Sequence, residues 1–212
     1  MREEAGLLSE PLAGSTLPLA VAVLAAGESR RMGSPKALLP YRGKNFAEYL
    51  LEVTAHPRVG IRRMVLGARA DEIRTQLHLG DAKVAINLEW QRGQLSSIQT
   101  AVRSLPANQT AGLLLCPVDH PLVSAELVAR LIEAFDASGK PIVLPTYRGK
   151  RGHPLIFAAS LYGEILEASP EVGARQVVWA HAEDVLEIPT DEEGVVLNLN
   201  DPETLRRAME AK

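Results

Sequence analysis

The sequence is short of cysteine, of aromatic residues and of charge of either sign in excess. One cysteine, Cys116, stands among 212 residues. That excludes an internal disulfide framework and a multi-cysteine zinc site. It fits a reducing compartment, so a cytoplasmic location is expected. Phe, Trp and Tyr together make up only 4% of the chain. Trp90 and Trp179 are therefore expected to be packing residues, and Cys116, inside an apolar run, a buried inert thiol. The 23 Lys and Arg against 26 Asp and Glu leave a formal charge of −3. This lacks the basic excess of a general nucleic-acid binder, and no nucleic-acid partner is expected. The longest uninterrupted apolar run, residues 19–26, is far short of the roughly 20 residues needed to span a bilayer, so no membrane partner is expected. Glu3, Glu4 and Glu10 replace the basic start and apolar run of a signal peptide.

What remains is an ordinary globular composition, 46% hydrophobic and 23% charged. Residues 1–18 carry Gly6, Pro11, Gly14 and Pro18 without a period and read as a flexible leader. Residues 19–212 read as one domain. Short apolar runs at residues 19–26, 63–67, 84–88, 112–117 and 141–145 have the length of strands buried on both faces. Helical spacing fills the intervals at residues 45–55, 71–79, 95–105 and 124–135, the last with Ser124 as its cap. Alternation of this kind predicts a three-layer α/β/α fold on a mostly parallel, Rossmann-like sheet. After residue 146 the rhythm changes. The polar turn Tyr147-Arg-Gly-Lys-Arg-Gly152 predicts an antiparallel hairpin insertion, followed by late strands at residues 185–188 and 195–199 and a final helix from Pro202.

The segment Leu24-Ala-Ala-Gly-Glu-Ser-Arg-Arg-Met-Gly-Ser-Pro-Lys36 leaves the carboxyl end of the first strand, where open α/β sheets place ligands. Gly27 and Gly33 permit backbone conformations closed to other residues, and Arg30, Arg31 and Lys36 add three cations. Such a loop suits a polyphosphate; a solvated basic turn is the rival reading. Neither the Walker A spacing nor the dinucleotide Gly-x-Gly-x-x-Gly is present. At the end of another apolar run, Cys116-Pro-Val-Asp-His-Pro121 puts Asp119 at the same predicted sheet edge. A carboxylate there suits Mg2+, which takes few protein oxygens, but turn chemistry explains an Asp equally well.

The stretch from Leu24 to Lys36 resembles the signature of MobA-like NTP transferases, closest to the molybdenum cofactor cytidylyltransferase (MocA-like) branch, and the resemblance runs over about residues 19–210. It implies a sheet of the nucleotide-diphospho-sugar transferase type and an enzyme that moves a nucleoside monophosphate from an NTP to a phosphorylated acceptor, with Mg2+ and release of pyrophosphate. Leu24, Ala25, Ala26, Gly27 and Lys36 then hold the nucleotide, with Lys36, Arg30 and Arg31 as catalytic cations. Asp119 takes the metal-ligand role, and Asn200 or Asp201 supplies the second oxygen. Either could instead cap the helix from Pro202. Asn87, Gly93, Ser96 and Ser97 are expected near base and ribose, Ser96 equally as a helix cap. Arg151, Gly152, His153 and Arg175 are expected at the acceptor, while His120 and His153 are not expected to bind metal. The step Ala25-Ala26-Gly27 resembles cytidylyl enzymes, so CTP is favoured over GTP, with molybdopterin as acceptor and a molybdoenzyme or its chaperone receiving the product. Left open are a guanylyl enzyme, a transferase acting on a sugar or polyol phosphate or a deazaflavin precursor, and a non-catalytic nucleotide-binding accessory protein.

Overall fold

Strand β1 (Leu19–Ala25) is buried on both faces, and its alternation decides the layering. Leu19, Val21, Val23 and Ala25 face one apolar cluster, while Ala20, Ala22 and Leu24 face a second. The computed structural model describes residues 17–210, so the expected leader lies outside the described residues except for Leu17 and Pro18. A small ribbon of β2 (Pro40–Tyr41) and β3 (Lys44–Asn45) leads into α1 (Phe46–Val53), whose start is closed by a capping box between Asn45 and Glu48. Then come β4 (Val59–Leu66), α2 (Ala70–Gln76), β5 (Lys83–Ile86), α3 (Gln94–Arg103), β6 (Gly112–Pro117) and α4 (Ala125–Ser138). The Ser124 hydroxyl accepts from the Leu127 amide, as its capping role requires.

The chain continues through β7 (Ile142–Tyr147), β8 (Lys150–Arg151), β9 (Leu155–Ala158), α5 (Tyr162–Glu167), α6 (Arg175–Ala180), β10 (Val185–Pro189) and α7 (Pro202–Glu210). The main sheet runs β10-β7-β9-β6-β1-β4-β5, with β8 paired to β7. Strands β6, β1, β4 and β5 are mutually parallel, as are β10 and β7. The hairpin insertion is antiparallel: Arg148 and Gly149 both take positive φ, the conformation of a tight two-residue hairpin turn. After it, β9 runs antiparallel between β6 and β7. Residues of α1, α2 and α4 pack on one face, and those of α3, α5 and α6 on the other, giving the three layers.

One expected strand does not form. Residues 195–199 make no ladder because their backbone polar groups are used by neighbouring turns. Val195 O accepts from the His153 amide at 2.8 Å, and the Leu199 amide donates to Asp119 O at 2.8 Å. The sheet order also fixes a switch point. From β1 the chain moves to β4 and β5, then returns to the other side of β1 as β6, so the connections leaving β1 and β6 run to opposite sides and flank a crevice at the strands' carboxyl ends. Among the described residues, no helix is long and apolar enough to cross a membrane.

Candidate active site

Because Leu24 of β1 pairs with Pro117 of β6, the two loops leaving these strands emerge side by side. The Val118 amide donates to Leu24 O at 3.0 Å and holds the acid turn against the glycine loop. Within that loop, the Lys36 amide donates to Ser29 Oγ at 3.1 Å, folding the loop back on itself. Ser29, with φ 57°, and Gly33, with φ 70°, take the left-handed turns. Gly27 does not: its backbone is not left-handed, and a side chain there would meet open space. The expectation of special backbone geometry therefore holds at Gly33 and passes from Gly27 to Ser29.

Lys36 projects from this loop to the acid turn. Its Nζ donates to Asp119 Oδ2 at 3.1 Å and also to Asn200 Oδ1. The Lys36 and Asp119 side chains are only 12% and 22% exposed, so the pair is shielded from bulk water. Two oxygens from different segments thus converge on one cation. Asp201, the neighbour of Asn200, turns the other way. It accepts from the Thr204 amide at 2.8 Å and from the Thr204 hydroxyl at 3.0 Å, capping α7.

Lys36, Asp119 and Asn200 line a cavity of about 510 Å³ that also takes in Leu24, Ala25, Ala26, Gly27, Gly93 and Ser97. Arg30 and Arg31 are exposed on its edge rather than gathered at Lys36, and Arg30 pairs with Glu28 at 2.7 Å. Asn87 and Ser96 are buried behind the wall. Asn87 Nδ2 donates to Ser96 Oγ at 2.8 Å and to Ser97 Oγ at 3.0 Å, while the Ser96 hydroxyl contacts the carbonyls of Glu89 and Gly93. Gly93 itself stands at the start of α3, so Ser96 braces the loop without capping the helix. Ser29, a fixed position of the Leu24–Lys36 motif to which the resemblance assigns no ligand role, and Gln94, which no motif singles out, also line the cavity. Only the small hydroxyl of Ser29, inside a glycine-bearing loop, carried a signal.

Behind Asp119, the rings of His120 and His153 lie 4.9 Å apart, and the Nδ1 atom of each is buried without a hydrogen-bond partner. Burial pushes the His153 imidazole down to about 4; His120 beside it adds to that shift and the Asp119 carboxylate opposes it. Burial lowers His120 as well, against the pull of Asp119. Two glycines let the carboxyl-terminal segment close over this pair. A Cβ on Gly152 would come within 2.5 Å of Val195 O, and one on Gly194 within 1.9 Å of Leu122 O. Cys116 is buried, and its thiol is pushed up to about 12 by that burial. Trp90 packs partly against the second apolar cluster, whereas Trp179 is 62% exposed and is not a packing residue. It stands over a second cavity, of about 470 Å³, bordered by Arg151, Gly152, His153 and Arg175.

Residues 21–185 match the MobA-like NTP transferase domain. The chain is 32% identical over 208 residues to the probable molybdenum cofactor guanylyltransferase of Mycobacterium avium, covering 93% of this chain and 98% of that one. It is also 32% identical over 169 residues to the nicotine blue oxidoreductase of Paenarthrobacter nicotinovorans, covering 72% of this chain and 78% of that one. The crystal structure of Rv0371c from Mycobacterium tuberculosis H37Rv superposes with a TM-score of 0.80 at 26% identity, over 92% of this chain and 100% of that one. That protein's complex with manganese superposes with a TM-score of 0.74 at 25% identity, with the same coverage. The switch-point crevice, the glycine loop and the domain match agree, and the chain belongs to the MobA-like NTP transferase family of nucleotidyltransferases.

Proposed function

We propose that the chain transfers CMP from CTP to a phosphorylated acceptor, molybdopterin, and releases pyrophosphate. The observation that carries this is the convergence of the Lys36 ammonium, the Asp119 carboxylate and the Asn200 amide oxygen at the crevice between β1 and β6. An acceptor phosphate oxygen attacks the α-phosphorus in line; a new P–O bond forms as the α–β P–O bond breaks and pyrophosphate leaves with the electron pair. The acceptor phosphate is already ionised near neutral pH, so no general base is needed. The chain has to position the groups and offset their charge. Lys36 neutralises the phosphate oxygens, backbone amides of the loop from Ala26 hold the triphosphate, and Arg30 and Arg31 on the rim draw in its charge.

The donor set fits a divalent ion. Asp119 and Asn200 already face one cation, the Lys36 ammonium, from two sides. Mg2+ takes few protein oxygens and draws its remaining ligands from water and phosphate. Asp119 and Asn200 would hold Mg2+, which supplies charge neutralisation and orientation of the triphosphate oxygens. The manganese complex of Rv0371c supports a divalent ion in this fold. Asp201, occupied with its helix cap, is left out of that set.

The Ala25-Ala26-Gly27 step supports CTP. The guanylyltransferase name of the Mycobacterium avium relative makes GTP the second reading. Thermal shift with the four NTPs and Mg2+ separates them, because a ligand that binds only the folded state raises its stability. Stabilisation by GTP alone overturns the CTP assignment. Pyrophosphate release with molybdopterin, a polyol phosphate and a deazaflavin precursor then tests the acceptor, and nucleotide binding with no release under any acceptor would show an accessory protein.

A further inference from the structure

Among the described residues, two exposed large hydrophobics, Ile86 at 45% and Leu88 at 85%, stand together at one edge of the main sheet. That edge is β5, which has β4 on one side and no strand on the other. The Asn87 amide donates to Leu66 O at 2.7 Å, so the odd-numbered residues here turn their backbone groups toward β4. Val84 and Ile86 turn theirs away. Such a row of unpaired N–H and C=O groups is a template for another strand. The opposite edge, β10, is defended. There the Thr190 amide donates to Thr146 O at 2.9 Å, so the outward positions include Glu187, a charge, and Pro189, which has no N–H. On β5 the outward positions are both apolar, and its one charge, Lys83, makes no ion pair among the described residues.

We propose that β5 is the contact surface for a second copy of this chain, which pairs with it antiparallel about a two-fold axis through Ala85. In that register Val84 meets Ile86 of the second copy, and the two outward-turned residues exchange both of their backbone hydrogen bonds, once on each side of the axis. A slip of one residue would set outward groups against groups already bonded to β4, so the register is restricted. Ile86 is covered on its own face by Val84 of the second copy. Lys83 lies opposite Asn87 and diagonal to Glu89, a distance that long side chains span. Arg92 holds Glu89 through Oε1 alone, at 2.8 Å, which leaves Oε2 for the lysine. The like charge nearest to that carboxylate across the axis, Asp81, is already matched by Arg62 at 3.0 Å. The charges are therefore self-complementary, as a two-fold contact requires. A strand of four residues makes a small contact, so the dimer forms with rising concentration instead of being obligate. Lys83, Val84 and Ile86 do not line the nucleotide cleft.

Sedimentation equilibrium of the full chain, from about 1 µM to about 1 mM, reads the association. The mean mass should rise from one chain toward two and no further. Val84→Pro removes an N–H that the ladder to β4 does not use and takes two hydrogen bonds from each dimer, so it should weaken the dimer about tenfold. Lys83→Glu and Glu89→Lys should each weaken self-association by about tenfold, because each sets like charges across the axis. Mixed in equal amounts, these two variants should associate with near wild-type affinity, since opposite charges face each other again on both sides of the axis. That recovery cannot come from a variant that merely fails to fold. A mass of one chain at every concentration overturns the inference, and so does a dimer that Val84→Pro leaves at wild-type affinity. Failure of the mixed charge variants to regain affinity overturns it too, as does growth beyond two chains, the mark of a head-to-tail contact.

Discussion

Lys36 Nζ lies 3.1 Å from Asp119 Oδ2 although 83 residues separate them, because β1 and β6 pair in parallel and deliver both residues to one rim. Replacing Lys36 with Ala should lower kcat/KM for pyrophosphate release by about 10²–10³-fold, the usual cost of losing one positioned charge-stabilising donor. Lys36 sits in a loop at the rim of the sheet and not in either apolar cluster, so the fold should persist in Lys36→Ala, as a urea unfolding curve would read. Wild-type turnover by Lys36→Ala would remove the residue from the reaction.

Asn200 and Asp201 are adjacent but face different tasks, and substitution should separate them. Asn200→Asp puts a second carboxylate opposite Asp119 and should tighten Mn2+ binding, because ligand charge sets affinity for hard cations. Asn200→Ala should weaken it. Asp201→Ala should leave Mn2+ binding unchanged and cost about 1 kcal/mol of stability through loss of the helix cap. Mn2+ titration by electron paramagnetic resonance and urea unfolding read the two effects independently.

The buried pair of His120 and His153 predicts an acid-side loss of stability. An unfolded His153 takes up a proton near pH 6.5, whereas the folded chain resists doing so until about pH 4. Between those values the unfolded state binds more protons, so this contribution is fully present above pH 6.5 and is lost as pH falls toward 4. His153→Gln should flatten the fall in unfolding free energy between pH 7 and pH 4.5, measured by denaturant titration. Equal slopes in the two proteins would refute the assignment.

Gly194 is needed for close approach. Adding a Cβ there drives it within 1.9 Å of Leu122 O, so backbone has to move. Gly194→Ala should cost about 1–3 kcal/mol, as overpacking does. It should also lower turnover, because the displaced segment carries Asn200. Unchanged stability and turnover would show that the contact is readily relieved.

Much of the fold can be read from local pattern. Residues 19–26 announce a strand buried on both faces, and the chain does alternate its side chains between two clusters there. Residues 195–199 show the same kind of apolar spacing yet form no strand. Their partners are His153 and Asp119 in distant turns, and no local period encodes that choice. The position of β9 between β6 and β7 is likewise set by tertiary pairing; the sequence signals only that a hairpin precedes it. In the site, Asp119 stands out just past the apolar strand β6, and Lys36 as the cation that closes the glycine loop leaving β1. The mutual bonding of Asn87, Ser96 and Ser97, and the exposure of Trp179, depend on how α3 and α6 dock, which composition does not report.

The glycine loop and the acid turn are complete once β6 is in place, but the oxygen opposite Asp119 arrives some eighty residues later, carried by the clasp that Gly152 and Gly194 allow. A nascent or proteolytically clipped chain lacking that clasp would retain most of the nucleotide cradle and miss its last donor. On the proposed reading, turnover should therefore appear only once residues 194–200 have been made and docked against the earlier turns.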